Sequence, residues 1–213
     1  MLNLSEIFFS IQGESSFTGF PCIFIRLSGC NLRCKYCDTV YSYETKFTLS
    51  VNDILKKIEK YNPIKLVEIT GGEPLLQNEV YKLFHILKDN DYKILLETNG
   101  SINLKNVPED VIKIVDVKCP SSGYEKSFLK ENLNYIDAEK DELKYVISNR
   151  EDYLYALDFI RENDLQNYKN IFSPVLSELS PETLAEWLLV DKSNYRMQLQ
   201  LHKYIWGRNT KGV

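Results

Sequence analysis

Short segments rich in Ile, Val and Leu recur along the chain, with helix-patterned segments between them. This alternation constrains the fold more than any other feature. Strands are predicted at Pro21 to Leu27, Lys65 to Thr70, Lys93 to Glu97, Val111 to Val117, Glu142 to Ile147, Asn170 to Phe172 and Arg196 to Leu201. Helices are predicted at Ser50 to Tyr61, Glu79 to Lys88, Arg150 to Glu162 and Pro181 to Leu189. Ser50 with Asp53 reads as a capping box, and Ile54, Leu55 and Ile58 supply an apolar stripe. Strands of this kind separated by helices imply parallel βαβ crossovers. About six of them fall short of a closed eight-stranded barrel. The expected fold is therefore α/β, a partial TIM-like barrel of about six parallel strands with reduced helices. Leu2 to Ile11 is expected to add an antiparallel edge strand. No repeat or linker divides residues 1–213, so a single domain is expected.

Polar, chemistry-bearing residues cluster where these strands end: a cysteine loop after Leu27, then Thr70-Gly71-Gly72-Glu73, Glu97-Thr98-Asn99-Gly100 and Asp116-Val117-Lys118. In a parallel barrel those ends share one face, where sites are built. With 44% hydrophobic and 26% charged residues, the chain has a globular composition, not a disordered one. A net charge of −4 argues against non-specific nucleic-acid binding. No apolar run approaches the roughly 18 residues that span a bilayer. The opening MLNLSEIFFS has no basic stretch and carries Glu6, so no signal peptide is expected.

Three of the five cysteines fall in one loop as Cys30-x3-Cys34-x2-Cys37; Cys22 and Cys119 stand apart. An odd count argues for a reducing, cytoplasmic compartment over a disulfide framework. Thiolates select zinc or iron–sulfur. A structural zinc needs a fourth ligand, and the only histidines, His85 and His202, are remote in sequence. An iron–sulfur cubane with three protein thiolates instead leaves one iron open to an exogenous chelator. Arg33 and Lys35 offset the negative charge of such a centre.

Cys30-Asn31-Leu32-Arg33-Cys34-Lys35-Tyr36-Cys37 resembles the signature of the radical S-adenosylmethionine (SAM) enzymes. Gly71-Gly72-Glu73 resembles the motif whose backbone meets the SAM amino group, and Glu97-Thr98-Asn99-Gly100 a strand-end motif near its methionyl and ribose groups. Within that superfamily the chain resembles the 7-carboxy-7-deazaguanine synthases of queuosine biosynthesis. Ile7 to Glu14, Phe24 to Asn31, Cys37-Asp38-Thr39 and Gln200 to Gly207 carry this likeness. It implies conversion of 6-carboxy-5,6,7,8-tetrahydropterin to 7-carboxy-7-deazaguanine with loss of ammonia. A 5′-deoxyadenosyl radical would take and later return a hydrogen, so SAM would act catalytically.

The resemblance also implies site residues. Cys30, Cys34 and Cys37 would hold a [4Fe-4S] cluster. Tyr36, Cys37, Asp38, Gly71, Gly72, Glu73, Glu97, Asn99, Val117, Lys118, Cys119, Ser173, Pro174, Val175 and Leu176 would line the SAM site. Residues 1–20 would contribute Ile11, Gln12, Gly13 and Glu14 to the substrate site, joined by Arg26, Thr70, His202 and the terminal Val213. Thr39 would ligate a Mg²⁺ ion, a hard cation suited to oxygen. Read without the family, Gln12 to Glu14 and Asp38-Thr39 are ordinary polar turns, Arg26 is a surface strand residue and His202 a structural one. No catalytic side chain is assigned, His202 being the candidate for proton transfer. The family more often has Gly where this chain has Ser15, and a β-carbon there is expected to restrict the loop. Implied partners are a flavodoxin or ferredoxin as electron donor and a second copy of the chain in a homodimer. Two rival readings stand here. One is another small radical SAM enzyme, such as a glycyl-radical activating enzyme that consumes SAM. The other is a zinc module using Cys30, Cys34, Cys37 and His202.

Overall fold

The computed structural model describes residues 1–207, 210 and 212. Strand β1 (Leu2–Ile11) pairs antiparallel with β2 (Pro21–Leu27) on one side and with the short β3 (Phe47–Leu49) on the other. Helix α1 (Val51–Ile58) leads to β4 (Leu66–Gly71), and α2 (Val80–Asp89) to β5 (Lys93–Thr98). Strands β6 (Ile112–Asp116) and β7 (Glu142–Ile147) follow across connections that hold only 3-10 turns. Helix α3 (Arg150–Glu162), β8 (Lys169–Pro174), α4 (Pro181–Val190), β9 (Arg196–Met197) and the short α5 (Leu201–Ile205) complete the described chain.

The sheet runs β3-β1-β2-β4-β5-β6-β7-β8-β9, with every neighbour from β2 onward parallel. No pairing between β9 and β3 closes it among the described residues. This is the expected partial barrel with reduced helices, made of β2 and β4 through β8 with β9 as a two-residue addition. The N-cap half of the expected capping box at α1 forms: the Ser50 hydroxyl accepts from the Asp53 backbone N–H at 3.1 Å, and it donates to the Asp53 carboxylate at 2.6 Å.

Two expectations change. Strand β1 is not the edge, because β3 lies outside it; three residues carry too short a pattern to read. The alternation in RMQLQL predicts a strand to Leu201, yet only Arg196 and Met197 pair, with Ile171 and Phe172. The Gln198 N–H then donates to Phe172 O at 2.9 Å, and the chain turns into α5. His202 thus sits on a helical turn.

Because side chains alternate along a strand, each strand serves two environments. Outward residues such as Val67, Ile69, Leu96, Val115, Leu143 and Tyr145 pack with helix residues Ile54, Leu83, Phe84, Tyr153 and Ile160 into one large core. Inward, Leu95, Ile112 and Ile114, with Phe17 and Leu66, form a small apolar plug. Above the plug the interior turns polar, with Glu68, Glu97, Asp116 and Lys144 lining a cavity of about 560 Å³. No helix among the described residues is long and apolar enough to cross a membrane.

Candidate active site

Chain direction creates the site. Strands β2, β4, β5 and β6 all end at the same rim, so the loops after them meet around the cavity mouth. Gly29, at φ +86°, lets the chain leave β2 into the cysteine loop. Arg33 folds that loop: its Nη1 donates to Cys30 O and Leu32 O, each at 2.7 Å, and its guanidinium lies 4.1 Å from the Tyr43 ring centroid. Cys30, Cys34 and Cys37 are free, half-buried and face the cavity. Donors already point at Cys30 Sγ, Leu32 N at 3.4 Å and Asn99 Nδ2 at 3.8 Å, and Cys37 Sγ shares a hydrogen bond with Thr39 Oγ1 at 3.7 Å.

Burial pushes the Cys30 and Cys34 thiols up, with the Leu32 N–H and Lys118 respectively opposing it. Coordination to a metal removes that penalty by holding the thiolates. Among the described residues no three His, Cys, Asp or Glu side chains converge as ligands of one ion. A structural zinc takes four protein ligands, and the loop offers three thiols. A cubane can be held by three protein thiolates, each on its own iron. His202 faces Gly13 and Glu14 instead of the cysteines. The donor set therefore fits an iron–sulfur cluster and not the zinc module.

On the wall next to the cysteines, a β-carbon on Gly71 would collide with Leu27 O, and one on Gly72 with Gly29 O. Only glycines let this loop lie flat on the end of β2. Behind it, the Glu73 side chain is fully buried and turned away from the cavity. It accepts from Leu75 N at 3.0 Å, Thr98 Oγ1 at 2.9 Å and Asn99 N at 2.7 Å, tying two loops together. Burial raises its pKa to about 7 against those hydrogen bonds. Lys118 pairs with Asp116 at 2.8 Å. Tyr36, Asp38, Thr39, Glu97, Asn99, Lys118 and the segment Ser173 to Leu176 line the cavity, and the buried Tyr36 hydroxyl has no hydrogen-bond partner among the described residues. Val117 and Cys119 are buried outside the lining, and the Cys119 thiol reaches Val117 O at 3.8 Å.

The opposite wall is built from the N-terminal strand and the end of the chain. Phe8 and Phe24 are cross-strand partners whose rings stack at 4.8 Å between centroids. The Gln12 side chain donates from Nε2 to Glu68 and accepts from Glu14 N at 3.1 Å. Burial, with Glu97 and Glu14 nearby, pushes Glu68 up to about 8. The Glu14 carboxylate accepts from Lys144 at 3.1 Å, Gln200 at 2.7 Å and Gln198 at 3.3 Å. Burial alone would raise its pKa, but Lys144 and Gln200 hold it below the usual range. Arg26 Nε donates to Glu6 at 2.8 Å, and the Tyr41 hydroxyl donates to the same oxygen. Ile11 and Thr70 also face the cavity.

Gly13 does not line the cavity. A β-carbon there would strike His202, and Gly13 O accepts from Leu201 N at 2.9 Å, so this glycine seats α5. Burial lowers the pKa of His202. Lys203 reaches Asp38 at 2.7 Å, fastening α5 to the cysteine loop. Ser15 holds φ at +64°, which explains why glycine suits the position. Its hydroxyl accepts from Phe17 N at 3.1 Å, so the β-carbon is accommodated. Val213 lies outside the described residues.

Sequence reading passed over Glu68 and Lys144, and gave no site role to Gln200 and Lys203, which it counted only toward the family likeness. A signal for the first two existed: KLVEIT sets Glu68 between Val67 and Ile69, and ELKYVI sets charges at Glu142 and Lys144 on the alternate positions from Leu143 and Tyr145.

Comparison with known proteins places these features. The Radical SAM superfamily model matches residues 24–189. A 7-carboxy-7-deazaguanine synthase of Koribacter versatilis is 46% identical over 227 residues, spanning 100% of both chains. One of Chlorobaculum tepidum is 43% identical over 215 residues, covering 100% of this chain and 97% of that relative. The crystal structure of QueE from Escherichia coli superposes with a TM-score of 0.77 at 25% identity, covering 94% of each chain. Full-length likeness at this level, on a cavity holding all three strand-end motifs, leaves one conclusion: the chain belongs to the radical SAM superfamily and, within it, to the 7-carboxy-7-deazaguanine synthase family.

Proposed function

We propose that the protein is a single-domain radical SAM lyase that contracts 6-carboxy-5,6,7,8-tetrahydropterin to 7-carboxy-7-deazaguanine with loss of ammonia. The observation that carries this reading is one cavity lined by the cysteine loop, the Gln12 and Glu14 loop and the His202 segment together. A generic radical SAM core accounts for the first alone. As in its family, the enzyme uses a [4Fe-4S] cluster and SAM, which together supply one-electron chemistry and a carbon-centred radical able to take hydrogen from carbon.

In this reading the chain's own residues place the reactants. Cys30, Cys34 and Cys37 hold the cluster. Gly71 and Gly72 offer backbone to SAM, Glu73 acts from behind by fixing their loop against Asn99, and Tyr36 covers the adenine. Glu97, Lys118 and Ser173 to Leu176 complete that wall. Gln12 and Glu14 read the amide and amine edge of the pterin, and Arg26, Thr70 and His202 complete its pocket. Thr39, in the cavity lining, would hold a Mg²⁺ ion through its hydroxyl, and a hard cation there would supply charge stabilisation for a carboxylate. Closure of the cavity by α5 keeps water from reactive species. The enzyme works in the cytoplasm, takes electrons from a flavodoxin or ferredoxin, and acts as a homodimer.

The test is anaerobic incubation of reconstituted protein with SAM, a reductant and the carboxypterin, with and without Mg²⁺. Deazaguanine product with intact SAM is expected, faster with Mg²⁺. Accumulation of 5′-deoxyadenosine with no deazaguanine would reject the reading in favour of a SAM-consuming activity.

A further inference from the structure

We propose that Lys144 is a positioning residue that holds the SAM wall and the substrate wall of the cavity at a fixed separation. The inference rests on the assignment above of Glu97 to the SAM side and Glu14 to the substrate side.

Lys144 projects inward from β7 beside its register partner Asp116 of β6. Its side chain is 6% exposed. Its ammonium donates to Glu14 at 3.1 Å and to Glu97, and forms an ion pair with Asp116 Oδ1 at 3.4 Å. These carboxylates come from three separate places: the loop after β1, the end of β5 and the end of β6. Two of the ammonium's three N–H donors go to Glu14 and Glu97, and Asp116 Oδ1 stands at ion-pair distance without a hydrogen bond among the described residues. Lys144 is thus surrounded by three carboxylates and acts through these partners.

Those partners reach further. The second oxygen of Glu97 accepts at 2.9 Å from the Oγ1 of Thr70, the residue before Gly71 and Gly72 at the end of β4. The second oxygen of Glu14 accepts from Gln200 at 2.7 Å, just before α5. One ammonium thus sits where the two walls cross. Burial works to strip its proton, and Asp116, Glu14 and Glu97 more than reverse this, so it stays protonated and charged and passes no proton on. A fixed charge among three carboxylates is a strut, not an acid.

A strut matters in hydrogen transfer between two bound molecules, where a misplacement of about 1 Å can cost about 100-fold. Because both walls hold the same ammonium, occupying one orders the other. Binding of the two ligands is then reciprocally coupled.

The test uses the reconstituted, unreduced holoenzyme. The SAM dissociation constant is measured by anaerobic calorimetry with and without the carboxypterin and Mg²⁺, for the native chain, Lys144→Met and Lys144→Arg. The pterin is expected to tighten SAM about tenfold or more in the native protein. In Lys144→Met that factor should fall toward one, while the affinity for SAM alone changes less. Lys144→Arg keeps charge but not geometry and should give an intermediate factor. Under reducing conditions, 5′-deoxyadenosine released per deazaguanine should rise about tenfold in Lys144→Met, the mark of misplacement. A purely structural loss would lower both products in proportion. Retention of the coupling factor in Lys144→Met overturns the proposal, as does its absence in a native enzyme that turns over. If Lys144→Met does not fold, an unchanged factor in Lys144→Arg overturns it. A native enzyme that makes no deazaguanine instead sinks the functional reading.

Discussion

The two faces of the sheet are made by the same strands and obey opposite rules. On β7, Leu143, Tyr145 and Ile147 face a dry core, while Glu142 and Lys144 face the interior. On β4, Val67 and Ile69 face the helices, while Glu68 and Thr70 face the cavity. The outer face gains from burying apolar area and needs only shape. The inner face buries carboxylates and ammonium groups that must be mutually satisfied, at a cost the outer face supports. Stability and chemistry are thus separated by a single residue of register.

The sharpest way to break that separation is at the rim. Cys34→Ala should abolish turnover and the brown chromophore. The cluster-free protein should still unfold within about 2–4 °C of the native apo-protein, equivalent to ~1 kcal/mol. Thermal melts and iron analysis check both. A large loss of fold would show that the inner rim carries stability after all.

The converse change is Leu83→Ala on α2, fully buried in the outer core. It should cost about 2–5 kcal/mol through lost transfer and a cavity. Per folded molecule, kcat should be unchanged, and denaturant titration beside active-site counting tests this.

The sequence made the outer face legible and much of the inner face opaque, for a physical reason. Apolar periodicity reports burial against helices, so α3 (Arg150–Glu162) and β7 (Glu142–Ile147) were readable to the residue. That the strand-end glycines and cysteines gather at one cavity was readable because residue type and strand-end position are both visible in the sequence. Glu68 and Lys144 have no such type signal; their meaning lies in which carboxylate or ammonium they meet, and that is set by β4, β5, β6 and β7 lying side by side. The end of the chain misled for a related reason. RMQLQL alternates as a strand does, yet among the described residues past Met197 only the Gln198 N–H still bonds β8, and both glutamine side chains serve Glu14 across the cavity.

Glu68 gives a smaller effect with a definite sign. Its pKa rises to about 8 in the folded protein, above its ordinary value of 4.5. Between those values the native state binds more proton than the unfolded one, so stability falls as pH rises. The slope is at most about 1.4 kcal/mol per pH unit from this carboxyl, levelling off above its folded pKa. Glu68→Gln removes the titration. Its advantage over the native chain should grow from pH 5 to pH 8, whereas Leu83→Ala should show a constant offset. Melting curves across pH that run parallel for Glu68→Gln and the native protein would refute the inner-face assignment.

The smallest expected effect lies where the faces give way to solvent. The Lys203 and Asp38 pair joins α5 to the cysteine loop at 2.7 Å, with the two side chains 16% and 50% exposed. An ion pair half open to water contributes about 0–1 kcal/mol, so Lys203→Met should scarcely move the melting point. Yet α5 also carries His202 against Gly13, so loosening it should raise the KM for the pterin a few-fold and leave kcat alone. Salt supplies the control. At about 1 M ionic strength the Debye length is about 3 Å, and the native enzyme's KM should approach that of the variant. If KM in the native enzyme ignores salt while the variant's is raised, the lysine acts by packing its stem along α5, not by its charge.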